Sequence, residues 1–269
     1  MDSRRARSTS GPHGQHSLKQ SLAAQLVSAA HVAPHDIVLE IGAGTGTLTR
    51  RLAMGSRKVV AVELDPRLAT RLRADFCGWD NVVVVEGDIL TLPFPRAPFR
   101  AFGNIPFHTT TALLRRVLAE SSRMTRADLI VQWEVARKRT ADRPTNLLNL
   151  LWGPWWSFSI SRRLPAECFR PRPQVDAAML CVIRRERPLI PRAERRRYEA
   201  AVRRAFSRPT VPLRRQLSAF VTPRQLNRIA QDLGFARDAR AIDLNVHQWA
   251  GLFNRMTALC GSPKRPRTS

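Results

Sequence analysis

Ile37-Val38-Leu39-Glu40-Ile41-Gly42-Ala43-Gly44-Thr45-Gly46 is the stretch on which the fold turns. Ile37 to Ile41 makes a short apolar strand, and Leu48 to Ala53 opens a helix after the glycines. Glycine in such a loop lets the backbone take positive φ and lie close against a bound group. A tight strand-to-helix turn would use the same residues, so the loop gains its meaning from what surrounds it.

The same alternation continues outward. Lys58 to Leu64 reads as a second strand, Pro66 to Phe76 as a helix, Val82 to Glu86 as a third strand and Arg100 to Gly103 as a fourth. Thr110 to Glu120 is helical and Ala127 to Trp133 is a fifth strand. This β-α-β-α rhythm predicts a parallel sheet covered by helices on both faces. Before it, Leu18 to Val32 places Leu18, Leu22, Leu26 and Ala29 on one helical face. After it, Phe158 to Arg163 and Ala177 to Ile183 form two more strands around a proline-rich loop, Phe169 to Pro173.

Beyond Arg184 the character changes. Arg184 to Ser269 holds 20 Lys/Arg against 6 Asp/Glu, a net +14, and helical patterns such as Arg195 to Phe206 and Pro223 to Leu233 replace strands. The expected organisation is a flexible basic arm over 1–14, a catalytic domain over 15–184, a basic helical domain over 185–260 and a disordered tail over 261–269. The 269-residue chain carries a net charge of +24, which attracts a polyanion, nucleic acid first. Its basic residues are nearly all Arg, with Lys19, Lys58, Lys138 and Lys264 the only lysines. Arg binds phosphate bidentately and stacks on bases. With 43% hydrophobic residues there is material for a core, and no apolar run approaches a membrane span. The polar opening, Met1 to Gly14, has no secretory pattern, so a cytoplasmic protein is expected. Cys77, Cys168, Cys181 and Cys260 are widely spaced, which argues for reduced buried thiols and against a metal site or disulfide framework.

Two carboxylates fall where open α/β sheets bind ligands, at the carboxyl ends of strands. Glu63 closes the second strand, 21 positions after Gly42, where an acidic side chain grips a ribose diol. Asp88, at the end of the third strand, can accept from an adenine amino group while Ile89 packs on the ring. The fourth strand runs into Asn104-Ile105-Pro106-Phe107. The Asn104 amide oxygen and the Ile105 carbonyl can both accept from an exocyclic amine, and proline pre-aims them by fixing its own φ and restricting its predecessor. The Phe107 ring can stack on the base. Together these residues suit methyl transfer from a nucleoside cofactor to a base amine.

The chain resembles the rRNA adenine N6-methyltransferases, specifically the erythromycin-resistance branch. The glycine loop, Glu63, Asp88, Asn104-Ile105-Pro106-Phe107, Gln132-Trp133-Glu134 and Phe169-Arg170-Pro171-Arg172-Pro173-Gln174-Val175-Asp176 agree in order and spacing, from about Gly14 to past Phe253. The resemblance implies an α/β, Rossmann-like S-adenosylmethionine-dependent methyltransferase sheet with a small C-terminal helical domain. It implies cofactor contacts from Gln15, His16, Leu18, Gly42, Ala43, Gly44, Glu63, Leu64, Asp88, Ile89 and Asn104, with Gly46 helping to shape the loop. Asn104 and Ile105 would hold the target N6, with Pro106 setting their geometry and Phe107 stacking on the flipped base.

RNA contacts are expected from Arg137, Lys138, Arg139, Phe169, Arg195, Arg196 and Arg197, while Trp152, Trp155 and Trp156 are expected in the core. The implied substrate is an adenine in the peptidyl-transferase region of 23S rRNA, before ribosome assembly is complete, acted on by a monomer. The implied outcome is resistance to macrolides, lincosamides and type B streptogramins. One segment departs from the pattern: Gln15-His16-Ser17-Leu18 stands where the family usually has Gln-Asn-Phe-Leu, which leaves mono- and dimethylation both open. A DNA adenine substrate would use a similar tetrad, and a non-catalytic RNA-binding protein could keep the fold. The basic helical tail favours RNA over DNA, and the joint presence of Glu63, Asp88 and Asn104 favours an enzyme over a scaffold.

Overall fold

Runs of Val, Ile and Ala pair into a seven-stranded sheet in the computed structural model, which describes residues 17–106, 109–142 and 146–261. After β1 (Ser17–Leu18) come α1 (Gln20–Ala29), β2 (Ile37–Ile41), α2 (Thr47–Gly55), β3 (Lys58–Glu63) and α3 (Pro66–Asp75). Then follow β4 (Val82–Glu86), β5 (Phe99–Asn104), α4 (Thr110–Val117), β6 (Met124–Gln132), α5 (Trp133–Thr140) and α6 (Leu147–Trp152). The remainder is β7 (Trp156–Leu164), β8 (Phe169–Arg170), β9 (Ala177–Arg184), α7 (Arg195–Phe206), α8 (Leu213–Gln216), α9 (Pro223–Leu233) and α10 (Val246–Gly261). The sheet order is β4-β3-β2-β5-β6-β9-β7, with β1 and β8 forming a separate antiparallel pair.

Strands β4, β3, β2, β5 and β6 are parallel, and β9 joins β6 antiparallel. Register matters more here than order. Ile41 pairs with Val62 and with Gly103, and Glu63 pairs with Glu86, so the carboxyl ends of four strands finish level. Gly103 allows β2 and β5 to approach: a Cβ there would stand 2.4 Å from the Ile41 carbonyl oxygen.

Local signals explain the helix starts. Asp65 caps α3, its Oδ1 accepting from Arg67 N–H at 2.8 Å, with Pro66 in the first turn. Thr222 and Gln225 form a capping box on α9, which closes at Gly234 with φ 67°. The expected first helix is shorter than its apolar pattern. Leu18 sits in β1, opposite Phe169, and α1 stops at Ala29. The buried face is Leu22, Ala23, Leu26, Val27 and Ala30, while Ala29 faces solvent. Arg100, at the start of β5, explains the stop: its guanidinium donates to the carbonyls of Ala30 (2.5 Å) and His31 (2.8 Å) and to Asp36 (2.9 Å) and Asp128 (3.2 Å).

The chain divides into two compact units: Met1–Arg137 with Ser159–Ile183, and Lys138–Phe158 with Arg184–Ser269. The chain crosses between them three times, at 137/138, 158/159 and 183/184, so the second unit takes in an early excursion, 138–158, as well as the segment after Ile183. The cause of the excursion is aromatic packing. Trp152, Trp155 and Trp156 are buried as expected, and Tyr198 of α7 packs edge-on against Trp155 while donating to the Leu150 carbonyl at 3.2 Å. Helix α10 runs to Gly261, so the start of the expected tail is helical, and 262–269 lie outside the described residues. Among the described residues no helix is long and apolar enough to cross a membrane. Of the thiols expected to be buried, Cys181 is, Cys168 is half-buried, and Cys77 is exposed.

Candidate active site

A cleft opens at the level carboxyl ends of β2, β3, β4 and β5, and every residue lining it belongs to the first unit. Gly42 and Ala43 N–H both donate to the Val62 carbonyl, at 2.9 and 3.1 Å, and Gly46 N–H closes a turn onto the Ala43 carbonyl at 2.9 Å. Gly42 and Gly44 have φ of 70° and 58°, a region that side chains rarely adopt, which is why the loop is glycine-rich. Gly46, at φ 76°, starts α2 directly over Phe76: a Cβ there would lie 2.7 Å from that ring.

Glu63 anchors the other side of the loop. Its Oε2 accepts from Gly44 N–H at 2.7 Å and its Oε1 from Asp65 N–H at 3.0 Å. Each carboxylate oxygen keeps a second lone-pair direction, enough for a diol. Asp88 follows Gly87 in a tight turn, its Oδ1 accepting from Leu90 N–H at 2.8 Å and its carbonyl from Thr91 and Leu92 N–H. Beneath the loop, Glu40 is fully buried, and neither carboxylate oxygen has a hydrogen-bond partner among the described residues. Burial pushes its pKa up to about 8; the nearby Thr49 hydroxyl counters this only in part, and the Glu63 charge adds to it.

β5 delivers Asn104, Ile105 and Pro106 to the cleft wall. Ile105 N–H is held by the Ile130 carbonyl at 3.0 Å, and Thr109 donates to the Pro106 carbonyl from both its amide (3.0 Å) and its hydroxyl (2.9 Å). These bonds fix the backbone on either side of the Ile105 carbonyl. A Cβ on Gly42 would stand 3.7 Å from the Asn104 carbonyl oxygen, an ordinary contact, so it is the φ of 70° that favours glycine there.

The family model for ribosomal RNA adenine dimethylase matches residues 12–258. The chain belongs to that family. Mycinamicin-resistance protein MyrB of Micromonospora griseorubida is 36% identical over 230 residues, 86% of this chain and 72% of that protein. An rRNA adenine N-6-methyltransferase of Bacillus anthracis is 30% identical over 261 residues, 97% of this chain and 90% of that protein. Among solved structures, the 23S rRNA methyltransferase ErmE superposes with a TM-score of 0.81 at 32% identity, covering 89% of this chain and 99% of that one. The chain is thus an S-adenosylmethionine-dependent rRNA adenine methyltransferase of the erythromycin-resistance branch, on an α/β Rossmann-like sheet.

The cleft brings together Leu18, Gly42, Ala43, Gly44, Glu63, Leu64, Asp88, Ile89 and Asn104, all expected at the cofactor, with Ile105 and Pro106. Gln15, His16 and Phe107 lie outside the described residues. Phe169, expected on RNA, is 3% exposed and lines this cleft with Leu18, its partner across the β1–β8 pair. Two expected RNA arginines also turn inward. Arg139 donates to Asn146 and Asn149 and stacks over Trp152, and Arg195 bonds Glu199 at 2.9 Å and lies over Trp155. Arg137 and Arg197 are exposed but ion-paired with Glu134 and Glu194, and Lys138 and Arg196 are exposed.

The sequence pattern gave no sign of Leu68, Thr109 and Leu113 in the cleft, which α3, the cap of α4 and α4 itself bring there as apolar or small residues. Nor did it show how two motifs meet. Trp133 N–H donates to the Asp176 carbonyl at 3.0 Å while Arg163 clasps the Asp176 carboxylate and lies over the Trp133 ring. The Arg163 hydrogen bonds, with Ala166 N–H, hold the Asp176 carboxyl below its ordinary range.

Proposed function

We propose that this enzyme methylates the N6 of a specific adenine in the peptidyl-transferase region of 23S rRNA and so confers resistance to macrolides, lincosamides and type B streptogramins. The observation that carries the proposal is the placement of Asn104, Ile105 and Pro106 on the wall of the cleft that Glu63 and Asp88 line. The names of the similar proteins, a mycinamicin-resistance protein and a 23S rRNA methyltransferase, support it.

The residues present fit S-adenosylmethionine. Gly42 and Gly44 leave the backbone bare for close approach, Glu63 would take the ribose hydroxyls, and Asp88 with Ile89 would take the adenine. The group supplies an electrophilic sulfonium methyl when bound. The chain's own part is alignment. A duplex adenine must be extruded at a cost of a few kcal/mol before its amine reaches the cleft. The Asn104 amide oxygen and the Ile105 carbonyl accept the two amino hydrogens, drawing the nitrogen lone pair out of conjugation. Those acceptors meet a charge that grows as the bond forms, so positioning and electrostatic complementarity supply the acceleration. The N6 proton becomes acidic after transfer, and no dedicated base is required. Phe107 would stack on the base, and the RNA would be tracked by exposed cations such as Arg196, Arg197 and Lys138. The enzyme would act as a cytoplasmic monomer on incompletely assembled ribosomal subunits.

Expression in a macrolide-sensitive bacterium tests the proposal. Growth on erythromycin with the native chain, abolished by Asn104→Ala at equal protein level, is the expected result. Unchanged sensitivity despite abundant soluble enzyme would remove 23S rRNA as the target.

A further inference from the structure

Arg116 sits on α4, the helix that follows Asn104-Ile105-Pro106, and no motif marks it. One of its terminal nitrogens donates to the Ile89 carbonyl and the other to the Leu92 carbonyl. Its guanidinium carbon lies 4.4 Å from the centroid of Phe94, whose ring in turn rests on Phe99 at 5.6 Å. One planar fork therefore grips both ends of the turn that starts at Asp88 and stacks on the ring that closes it.

Among the described residues the turn's other hydrogen bonds are local, apart from Gly87 N–H, which donates to the Glu63 carbonyl at 2.9 Å. Leu90 N–H bonds the Asp88 carboxylate, Thr91 and Leu92 N–H bond the Asp88 carbonyl, and the Leu92 side chain folds back on Gly87. β4, which feeds the turn, is the edge strand of the sheet. On the other side, α4 is tied to the target wall, since Thr109 bonds the Pro106 carbonyl and Leu113, one turn on, lines the cleft.

We infer that Arg116 is the positioning residue for the adenine-binding turn. By clamping Ile89 and Leu92 to the helix that follows Asn104-Ile105-Pro106, it holds Asp88 and Ile89 at the distance from the target wall that S-adenosylmethionine has to span. It touches neither cofactor nor RNA and acts through the backbone it grips. Its loss loosens cofactor binding and leaves the methyl-transfer step at saturation nearly as fast.

Arg116→Met keeps much of the aliphatic stem and removes both donors. Two hydrogen bonds to a charged donor set the scale of the effect at about tenfold or more in Kd. Titration with S-adenosylmethionine and with 5′-methylthioadenosine, which lacks the amino-acid end, should show parallel weakening by about that factor. KM for S-adenosylmethionine should rise equally, with kcat within about twofold, and Arg116→Lys should fall between the two. A merely structural residue would lower the melting temperature and leave the two affinities unchanged, and that result overturns the inference. A fall in kcat equal to the fall in kcat/KM overturns it too. If Arg116→Met does not fold, Phe94→Leu decides: it removes the ring under the guanidinium, and an unchanged affinity for both ligands would refute the clamp.

Discussion

Asn104 and Glu40 show how differently two polar residues at neighbouring strand ends are used. Asn104 lines the cleft, where on the proposed function it would accept from the target amine. Asn104→Ala should keep S-adenosylmethionine affinity within severalfold and lower kcat by about 10²–10³, the usual effect of deleting one preorganised polar contact. Binding titration beside single-turnover methylation would check both halves. Glu40 is sealed under the loop with no hydrogen-bond partner among the described residues and a pKa near 8, above the ordinary 4.5. A raised carboxyl pKa means that the folded state keeps a proton which the unfolded chain releases. Its stabilising effect is full below about pH 4.5 and falls as pH rises towards 8, by roughly 1.4 kcal/mol per pH unit at most. Glu40→Gln should flatten that part of the stability profile, and denaturant unfolding from pH 5 to 8 would show whether it does.

At the scale of elements, the sheet was legible because its strands carry their own signals. Val82 to Glu86 and Ile37 to Ile41 were read residue for residue, since short apolar β-branched runs between breakers admit few alternatives. Helices α7 and α9 matched as well, the latter through Thr222-Pro223 and Gly234. What escaped depends on contacts distant in sequence. Nothing near Leu18 announces that Phe169 will pair with it, and nothing near Ala30 announces that Arg100 will stop α1. The cleft followed the same rule: glycines and carboxylates at strand ends were readable, while Arg116 and Leu113 came from a helix whose only local signal was amphipathicity. Arg139 and Arg195 lie over Trp152 and Trp155, partners in space that charge in sequence does not disclose. Arg100→Ala should destabilise the fold by about 3 kcal/mol, because it removes the counter-charge and donors from a buried cluster. Hydrogen exchange should show α1 opening first, and a loss below about 0.5 kcal/mol, the level of an ordinary surface substitution, would mean that Arg126 holds Asp128 alone.

For the whole molecule, charge and chemistry are divided along the chain. The cleft-lining residues lie in the first unit, and the chain from Arg184 onward is strongly basic. RNA affinity should therefore fall steeply and linearly in log–log form as salt rises. Arg196→Ala, at an exposed position, should reduce the magnitude of that slope by about one if it meets a phosphate. Arg139→Ala should leave the slope unchanged and lower the melting temperature, because its guanidinium is occupied within the fold. The central claim is narrower than RNA binding: a single adenine N6 is the acceptor. The most direct test incubates the native enzyme with S-adenosylmethionine and protein-free 23S rRNA, then digests the RNA and identifies the modified nucleoside by mass spectrometry. N6-methyl- or N6,N6-dimethyladenosine at one peptidyl-transferase position, absent with Asn104→Ala, is the predicted result; an unmodified 23S rRNA alongside methylated DNA or another RNA would contradict it.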